Sequence, residues 1–333
     1  MKVARYRTAL FGLGRIGAGY HRVNGRPRNH FDAIIDCGEM ELVAAIDTDS
    51  HRRNCVARHR PEKAARIYSS LKDAIVDRVD IGVIATPPSA RIDPIQAVLE
   101  AGASVIIVEK PLARSLQEAL AIVQLIASYN AVLKVNFHRR YDSSFQAIKQ
   151  HATGDFVAGQ ARYGKGLHNY GSHLIDLLTE WCGPPVVVRA LDELSRDCGD
   201  PTLSFQVSFE DDKTCLVLGL PDTDYDVFDV DLMFRDRRIE FAAGGAVRKV
   251  WTCRDSLYYP GYTHLETLPC NSFVGALSGL KELYSSIVSF LQDGIEILGC
   301  DADAAVRGMA TTESILRSAR NNCEPVVVGN VLP

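Results

Sequence analysis

Two side chains far apart in the chain have the types that an alcohol-oxidising centre needs. Lys110 lies in Glu109-Lys110-Pro111, directly after the apolar run Val105-Ile106-Ile107-Val108. An ammonium at the end of a buried strand can hydrogen-bond a carbinol oxygen and stabilise the charge that builds there as hydride leaves the carbon. His173 lies in Gly171-Ser172-His173-Leu174-Ile175-Asp176. An imidazole ordinarily titrates near neutrality, so this residue type can take the hydroxyl proton in the same event. Asp176 falls on the same helical face and reads as a structural hydrogen-bonding partner. Residue type alone does not settle either role, because most lysines are solvated and many single histidines are packed or capping residues.

Hydride transfer also needs an acceptor, and the start of the chain offers a place for one. A short apolar strand ending at Phe11 runs into Gly12-Leu13-Gly14-Arg15-Ile16-Gly17. In such a turn Gly12 permits the sharp bend, Gly14 lets backbone approach a pyrophosphate, and Gly17 lets strand and helix pack closely. The turn is expected to open a helix whose first N–H groups face the phosphates. The strand Leu42-Val43-Ala44-Ala45-Ile46 then closes on Asp47, placed to accept from an adenosine ribose. A carboxylate there pairs with a free 2′-hydroxyl and repels a 2′-phosphate, which favours NAD over NADP; Arg52 and Arg53 keep NADP as the alternative. The interval from Gly17 to Asp47 exceeds the usual ~20 residues, and residues 20–29 read as an inserted loop.

The elements that position these groups alternate. Strands are expected at 66–68, at 81–85 before Thr86-Pro87-Pro88, at 105–108 and at 132–136. Helices are expected at 49–60, at 71–76 after a Ser69 or Ser70 cap, around Ile95 to Leu99 before Gly102, and from a Ser115/Glu118 capping box to about Tyr129. This pattern predicts a doubly wound parallel sheet over residues 1–135, with ligands at the carboxyl ends of its strands. Gly12, Asp47, Thr86 and Lys110 all fall at such ends. Residues 136–333 read as an α+β second domain, with helices at 143–151, around 174–178, at 273–291 and at 302–320. Its strands are expected at 186–190, 203–209, 214–218, 227–233, 238–241, 247–251 and 326–328, short connections favouring a large, mainly antiparallel sheet. The last helix and tail can pack back on the first domain.

Bulk properties narrow the classes. The chain has 333 residues, 47% hydrophobic and 23% charged, with net charge −4, and no block of like charge argues for nucleic acid or an anionic membrane. No run reaches membrane-spanning length and no signal-peptide pattern precedes the first strand, so a cytoplasmic protein is expected. Nine scattered cysteines without a Cys-x-x-Cys pair predict neither a metal site nor a disulfide framework.

The succession Gly12-Leu13-Gly14-Arg15-Ile16-Gly17, Asp47, Ala85-Thr86-Pro87-Pro88, Glu109-Lys110-Pro111, Arg139-Arg140-Tyr141-Asp142 and Gly171-Ser172-His173-Leu174-Ile175-Asp176 resembles the Gfo/Idh/MocA oxidoreductases. The resemblance implies a Rossmann domain followed by an open-faced sheet that often builds the subunit interface, hence a homodimer or homotetramer. It implies an NAD(P)-dependent dehydrogenase acting on a sugar, cyclitol or sugar nucleotide. Gly12, Gly14, Arg15, Ile16, Gly17, Asp47, Thr86, Pro87, Glu109 and Lys110 would meet the cofactor. Lys110 and His173 would be catalytic, and His138, Arg139, Asn169 and Tyr170 would reach the sugar with His173. Two positions depart from the pattern. Asn169 stands where many relatives carry an aspartate, so His173 lacks that carboxylate. Arg91 stands where relatives often have histidine, and it is assigned no role. A sugar-modifying enzyme that keeps and recycles its NAD, and a non-catalytic dinucleotide-binding regulator, remain alternatives on the same scaffold.

Overall fold

A computed structural model describes residues 5–70, 72–74, 77–194, 199–221, 223–268 and 279–329. Two compact units divide the chain: Met1–Asp142 with Ala276–Val306, and Ser143–Gly275 with Arg307–Pro333. The expected single cut after residue 135 thus compares with a boundary at Asp142 and a return of the chain to the first unit at Ala276.

In the first unit the strands are β1 (Tyr6–Phe11), β2 (Met40–Ile46), β3 (Ile67–Tyr68), β4 (Ile81–Ile84), β5 (Val105–Glu109) and β6 (Val132–Asn136). They form one parallel sheet in the order β3-β2-β1-β4-β5-β6. The central runs are apolar on both faces, and Leu10, Ile81, Val83, Val105 and Ile107 are fully buried, as a sheet covered on both sides requires. Its helices are α1 (His30–Asp36), α2 (Ser50–His59), α3 (Ile92–Glu100) and α4 (Leu116–Ser128). Burial follows their periodicity: Ile95, Val98 and Leu99 on α3, and Ala119, Ile122 and Ile126 on α4. Asn29, Asp49 and Ser115 cap α1, α2 and α4 through their side-chain oxygens.

The glycine turn does not open a regular helix. Arg15–Gly19 make a single wide turn in which Ala18 N and Gly19 N both donate to the Gly14 carbonyl at 2.9 Å, and α1 starts only at His30. Glycine at 17 and 19 weakens helix propagation. Beyond them Asn24 and Gly25 adopt left-handed φ of 51° and 75°, and Pro27 has no N–H to give. The expected helix at 71–76 is reduced to a short turn at Lys72–Ala74; Leu71, Ile75 and Val76 lie outside the described residues.

The second unit holds α5 (Ser143–Lys149), β7 (Phe156–Tyr163), α6 (Ser172–Cys182), β8 (Val187–Ala190), β9 (Phe205–Ser208), β10 (Thr214–Gly219), β11 (Phe228–Phe234), β12 (Arg237–Ala242), β13 (Val247–Asp255) and β14 (Thr263–Thr267). α7 (Leu280–Asp293) belongs to the first unit, α8 (Ala302–Arg320) carries the second boundary, and β15 (Val326–Val327) closes the sheet. The order is β14-β13-β12-β11-β7-β10-β9-β8-β15, antiparallel throughout except β7 with β10. Helices cover one face: Phe145 of α5 stacks on Phe241 of β12 at 5.0 Å, and Trp181 of α6 lies 5.1 Å from the same ring. On the other face Leu216, Leu218 and Met233 are exposed while Cys215, Val217 and Leu232 are buried, the alternation of a one-sided sheet.

Sequence patterning does not anticipate β7 or β14. Gly159, Gln160 and Arg162 obscure the alternation in β7, and all five residues of β14 are exposed. The helix expected from residue 273 is described only from Leu280; residues 273–278 lie outside the described set, as do Cys198 and Cys270. The seven described cysteines are free. No described helix is long and apolar enough to cross a membrane.

Candidate active site

The carboxyl ends of β1, β2, β4 and β5 bring together the expected cofactor residues. Gly12 has φ +90°, and a Cβ there would meet the Ala85 carbonyl oxygen at 2.5 Å; a Cβ on Gly17 would meet the Gly12 carbonyl oxygen at 1.9 Å. Both positions therefore exclude side chains for packing reasons. Around Gly14 a Cβ would meet nothing within 4 Å, so its missing side chain leaves open space beside the turn. Asp47, 7% exposed, ties the turn to β2: its Oδ2 accepts from Leu13 N at 2.8 Å and its Oδ1 from Asp49 N at 2.9 Å. A carboxylate has about four lone-pair sites, so acceptor capacity remains for a ribose. Arg52 approaches Asp47 Oδ2 at 3.5 Å, whereas Arg53 donates to the Asp47 and Thr48 carbonyls. Open space at Gly14 and a buried acceptor at Asp47 fit a dinucleotide. Arg15 is exposed, Ile16 half-buried, Pro87 exposed, and Thr86 Oγ1 donates to the Ala90 carbonyl at 2.7 Å.

Glu109 and Lys110 point to different tasks. Glu109 is buried at the end of β5, where His30 Nε2 lies 3.0 Å and Asn136 Nδ2 2.5 Å from its Oε1. His30 Nδ1 is 2.8 Å from the Tyr284 hydroxyl on α7. Burial pushes the Glu109 carboxyl up, but the His30 hydrogen bond and charge, Asn136 and Lys110 outweigh it and hold the group below its ordinary value. Glu109 is therefore an ionised group bonded into the interior, and Lys110 follows it half-buried, joined to Pro111 by a cis peptide. At the end of β6 the buried Asn136 Oδ1 has no hydrogen-bond donor among the described residues, an acceptor left for a ligand or water.

Arg91 has a structural task that its residue type did not reveal. The side chain is 2% exposed; Nε donates to the Thr86 carbonyl at 3.2 Å and Nη1 to the Pro111 carbonyl. One guanidinium thus ties the Thr-Pro-Pro loop to the Glu-Lys-Pro loop. Burial pushes it down to about 10, against the pull of Glu109 and Glu118, and it stays charged at neutral pH. The following turn carries His138, half-buried, and Arg139, 8% exposed.

In the second unit the expected groups gather on the wide turn Leu167–Gly171 and the first turn of α6. Asn169 is exposed, Tyr170 half-buried with the Lys165 ammonium 5.4 Å from its ring centre, and His173 and Asp176 are 7% and 5% exposed. Asp200 holds this turn: its Oδ1 accepts from His168 N at 2.8 Å and its Oδ2 from Asn169 N at 3.1 Å. The preceding Gly166 has φ +88° and donates to Thr202 Oγ1 at 2.9 Å. Nothing in local patterning singles out Asp200, 31 residues beyond Asn169.

A six-stranded doubly wound parallel sheet with its glycine turn and strand-end acid defines a dinucleotide-binding type of fold, and a large one-sided sheet follows it in the chain. Residues 6–137 match the family model described as "Oxidoreductase family, NAD-binding Rossmann fold", and this part of the chain is similar to the Gfo/Idh/MocA oxidoreductases. It is 32% identical over 162 residues to scyllo-inositol 2-dehydrogenase (NAD(+)) of Bacillus subtilis (strain 168), an alignment covering 48% of this chain and 43% of that protein. The chain thus spans less than half the length of that relative. An oxidoreductase from Agrobacterium radiobacter, solved with NAD+, L-tartaric acid and magnesium, superimposes with TM-score 0.76 and 17% identity over 99% of this chain and 100% of that one. The WlbA dehydrogenase of Bordetella pertussis, solved with NADH and UDP-GlcNAcA, gives TM-score 0.75 and 18% identity over 100% and 99%. At these identities the likeness to the two solved structures concerns the fold.

Proposed function

We propose that the chain is an NAD-dependent dehydrogenase acting on a secondary alcohol of a sugar, cyclitol or sugar nucleotide. The observation that carries the reading is the convergence of Gly12, Gly14, Asp47, Thr86 and Lys110 on the strand ends of one parallel sheet, with an ionised Glu109 fixed behind Lys110. Bound nicotinamide cofactor supplies the acceptor for the hydride that leaves the carbinol carbon. Lys110 hydrogen-bonds the carbinol oxygen, and its charge offsets the negative charge that grows there. His173 takes the hydroxyl proton, so that alcohol becomes ketone with one proton released to the protein. Asp47 favours NAD over NADP by repelling a 2′-phosphate. His138, Arg139, Asn169 and Tyr170 provide donors and acceptors for sugar hydroxyls. The B. subtilis relative, named for an NAD(+)-dependent inositol dehydrogenase, supports the cofactor and the substrate class. We also propose a homodimer or homotetramer built on the open face of the second sheet.

The test follows nicotinamide absorbance with free sugars, cyclitols and sugar nucleotides in turn, with NAD and with NADP. A substrate should emerge from one group, with NAD the better cofactor. Lys110→Met should then lower kcat by about 100- to 1,000-fold, the cost of removing one charge-stabilising donor, with NAD affinity little changed. Near-normal turnover of that variant would rule Lys110 out.

A further inference from the structure

The loop between the glycine turn and α1 is closed at its base. Asn29 Nδ2 donates to the Tyr20 carbonyl at 2.7 Å while Asn29 Oδ1 accepts from Asp32 N at 2.7 Å. At the far end Val23 and Arg26 form a bridge around the left-handed Asn24-Gly25 pair. Pro27 is buried, Asn29 is 2% exposed and His30 fully buried. Arg28 therefore leaves a fixed stretch of backbone two residues before an imidazole that contacts Glu109, beside the strand end that carries Lys110.

The acids nearby are already engaged by other donors. Asp36 receives Arg22 at 2.5 and 2.8 Å. Asp32 receives Arg60 at 2.5 Å, Asn29 at 3.2 Å and Arg22 at 3.4 Å. Glu109 is taken by His30 and Asn136. Half-buried Arg28 makes no hydrogen bond or ion pair with a described residue, although a partly desolvated guanidinium without an acceptor costs free energy. Its charge reaches the same strand end: burial, then Arg139, Lys110 and Arg28, push the His138 imidazole well below its ordinary range. This end of the first unit has a cation in need of an anion.

We propose, resting on the reading that the substrate binds at this strand end, that Arg28 receives an anionic group of the substrate, a carboxylate or a phosphate, and so selects acidic over neutral polyols. The planar fork of arginine suits either group through paired N–H donors. The inserted loop then acts as a specificity element, presenting one side chain to the site from a rigid frame.

Calorimetric titration of the NAD-loaded full chain with matched probes tests this. The pairs are glucose against glucuronate and glucose 6-phosphate, and myo-inositol against its 1-phosphate. The charged member of a pair should bind about 10- to 100-fold more tightly, the factor expected for a charge-assisted hydrogen bond. Glucuronate and the phosphates distinguish the two anions. Arg28→Gln should erase the preference, Arg28→Lys should keep part of it, and NAD affinity should stay within about twofold in both. Equal affinities within each pair, a preference that survives in R28Q, or a parallel loss of NAD binding would each overturn the assignment. Charge-dependent binding that is lost in R28Q without any reduction of cofactor would support Arg28 while sinking the dehydrogenase reading.

Discussion

His138 is a histidine that the fold keeps neutral. Its burial and the cations Arg139, Lys110 and Arg28 push it well below 6.5, so the folded chain binds fewer protons at this site than the unfolded chain does. Stability from this site is complete above pH 6.5 and is lost as pH falls below that value toward the depressed one. His138→Gln should therefore flatten the fall in urea midpoint between about pH 6.5 and pH 5 relative to the parent; parallel pH profiles for the two proteins would refute the claim. At this scale the sequence was half legible. Glu-Lys-Pro after an apolar strand announces its lysine, and the glycine spacing announces its turn. The engagement of Glu109 by His30 is invisible because the partners lie 79 residues apart and Tyr284 lies 254 residues from His30. Asp200 under Asn169 is hidden for the same reason.

Between elements, the connection that matters most runs through Arg91. The strand-end loops after β4 and β5 both carry residues proposed to meet the cofactor, and one buried guanidinium donates to a carbonyl of each. Arg91→Ala would leave two carbonyls without a charged donor and open a cavity, so a loss of about 2 to 3 kcal/mol is expected from urea unfolding. NAD affinity should weaken with it, since one tied carbonyl is that of Thr86 and the other, that of Pro111, directly follows Lys110. Arg91→Lys should recover only part, because a single ammonium cannot span both acceptors as a fork does. An alanine variant as stable as the parent would show that the clamp contributes nothing. Strands with unbroken apolar runs and helices with a regular apolar stripe were readable in advance, down to ends within a residue or two for β4, β5, β6, α4 and α8. The elements that escaped have a local cause: glycine and polar residues inside β7, full exposure of β14, and glycine, asparagine and proline diverting the backbone between Gly17 and His30.

At the scale of the molecule, the division into a parallel-sheet unit and an antiparallel-sheet unit was legible because the strand-helix alternation stops after Asn136. The return of residues 276–306 to the first unit was not. The apolar stripe of α7 says which side chains are buried, namely Leu280, Leu283, Tyr284, Ile287 and Val288, but not that they join Phe31 and Ile34 in one core. The second sheet raises the remaining question of what covers it. Leu216 and Leu218 on β10 are 43% and 40% exposed, and the β13–β14 hairpin ends in Leu257, Tyr258, Tyr259 and Tyr262, 92%, 86%, 68% and 71% exposed. On the same sheet Asp231 binds Arg238 through two 2.7 Å contacts, and Arg238 lies 4.8 Å from the Trp251 ring centre. Tyrosine and arginine are among the residue types enriched at interfaces, and an exposed edge strand invites pairing unless something covers it. The proposed oligomer should therefore appear in light scattering as a multiple of the 36.6 kDa chain. Replacing both Leu216 and Leu218 by Asp should shift the mass toward one chain while leaving the NAD affinity of the first unit unchanged. A parent protein that runs as a single chain at tens of micromolar would end the oligomer proposal, and the hairpin tyrosines would then have to be accounted for as solvent-exposed in the working protein.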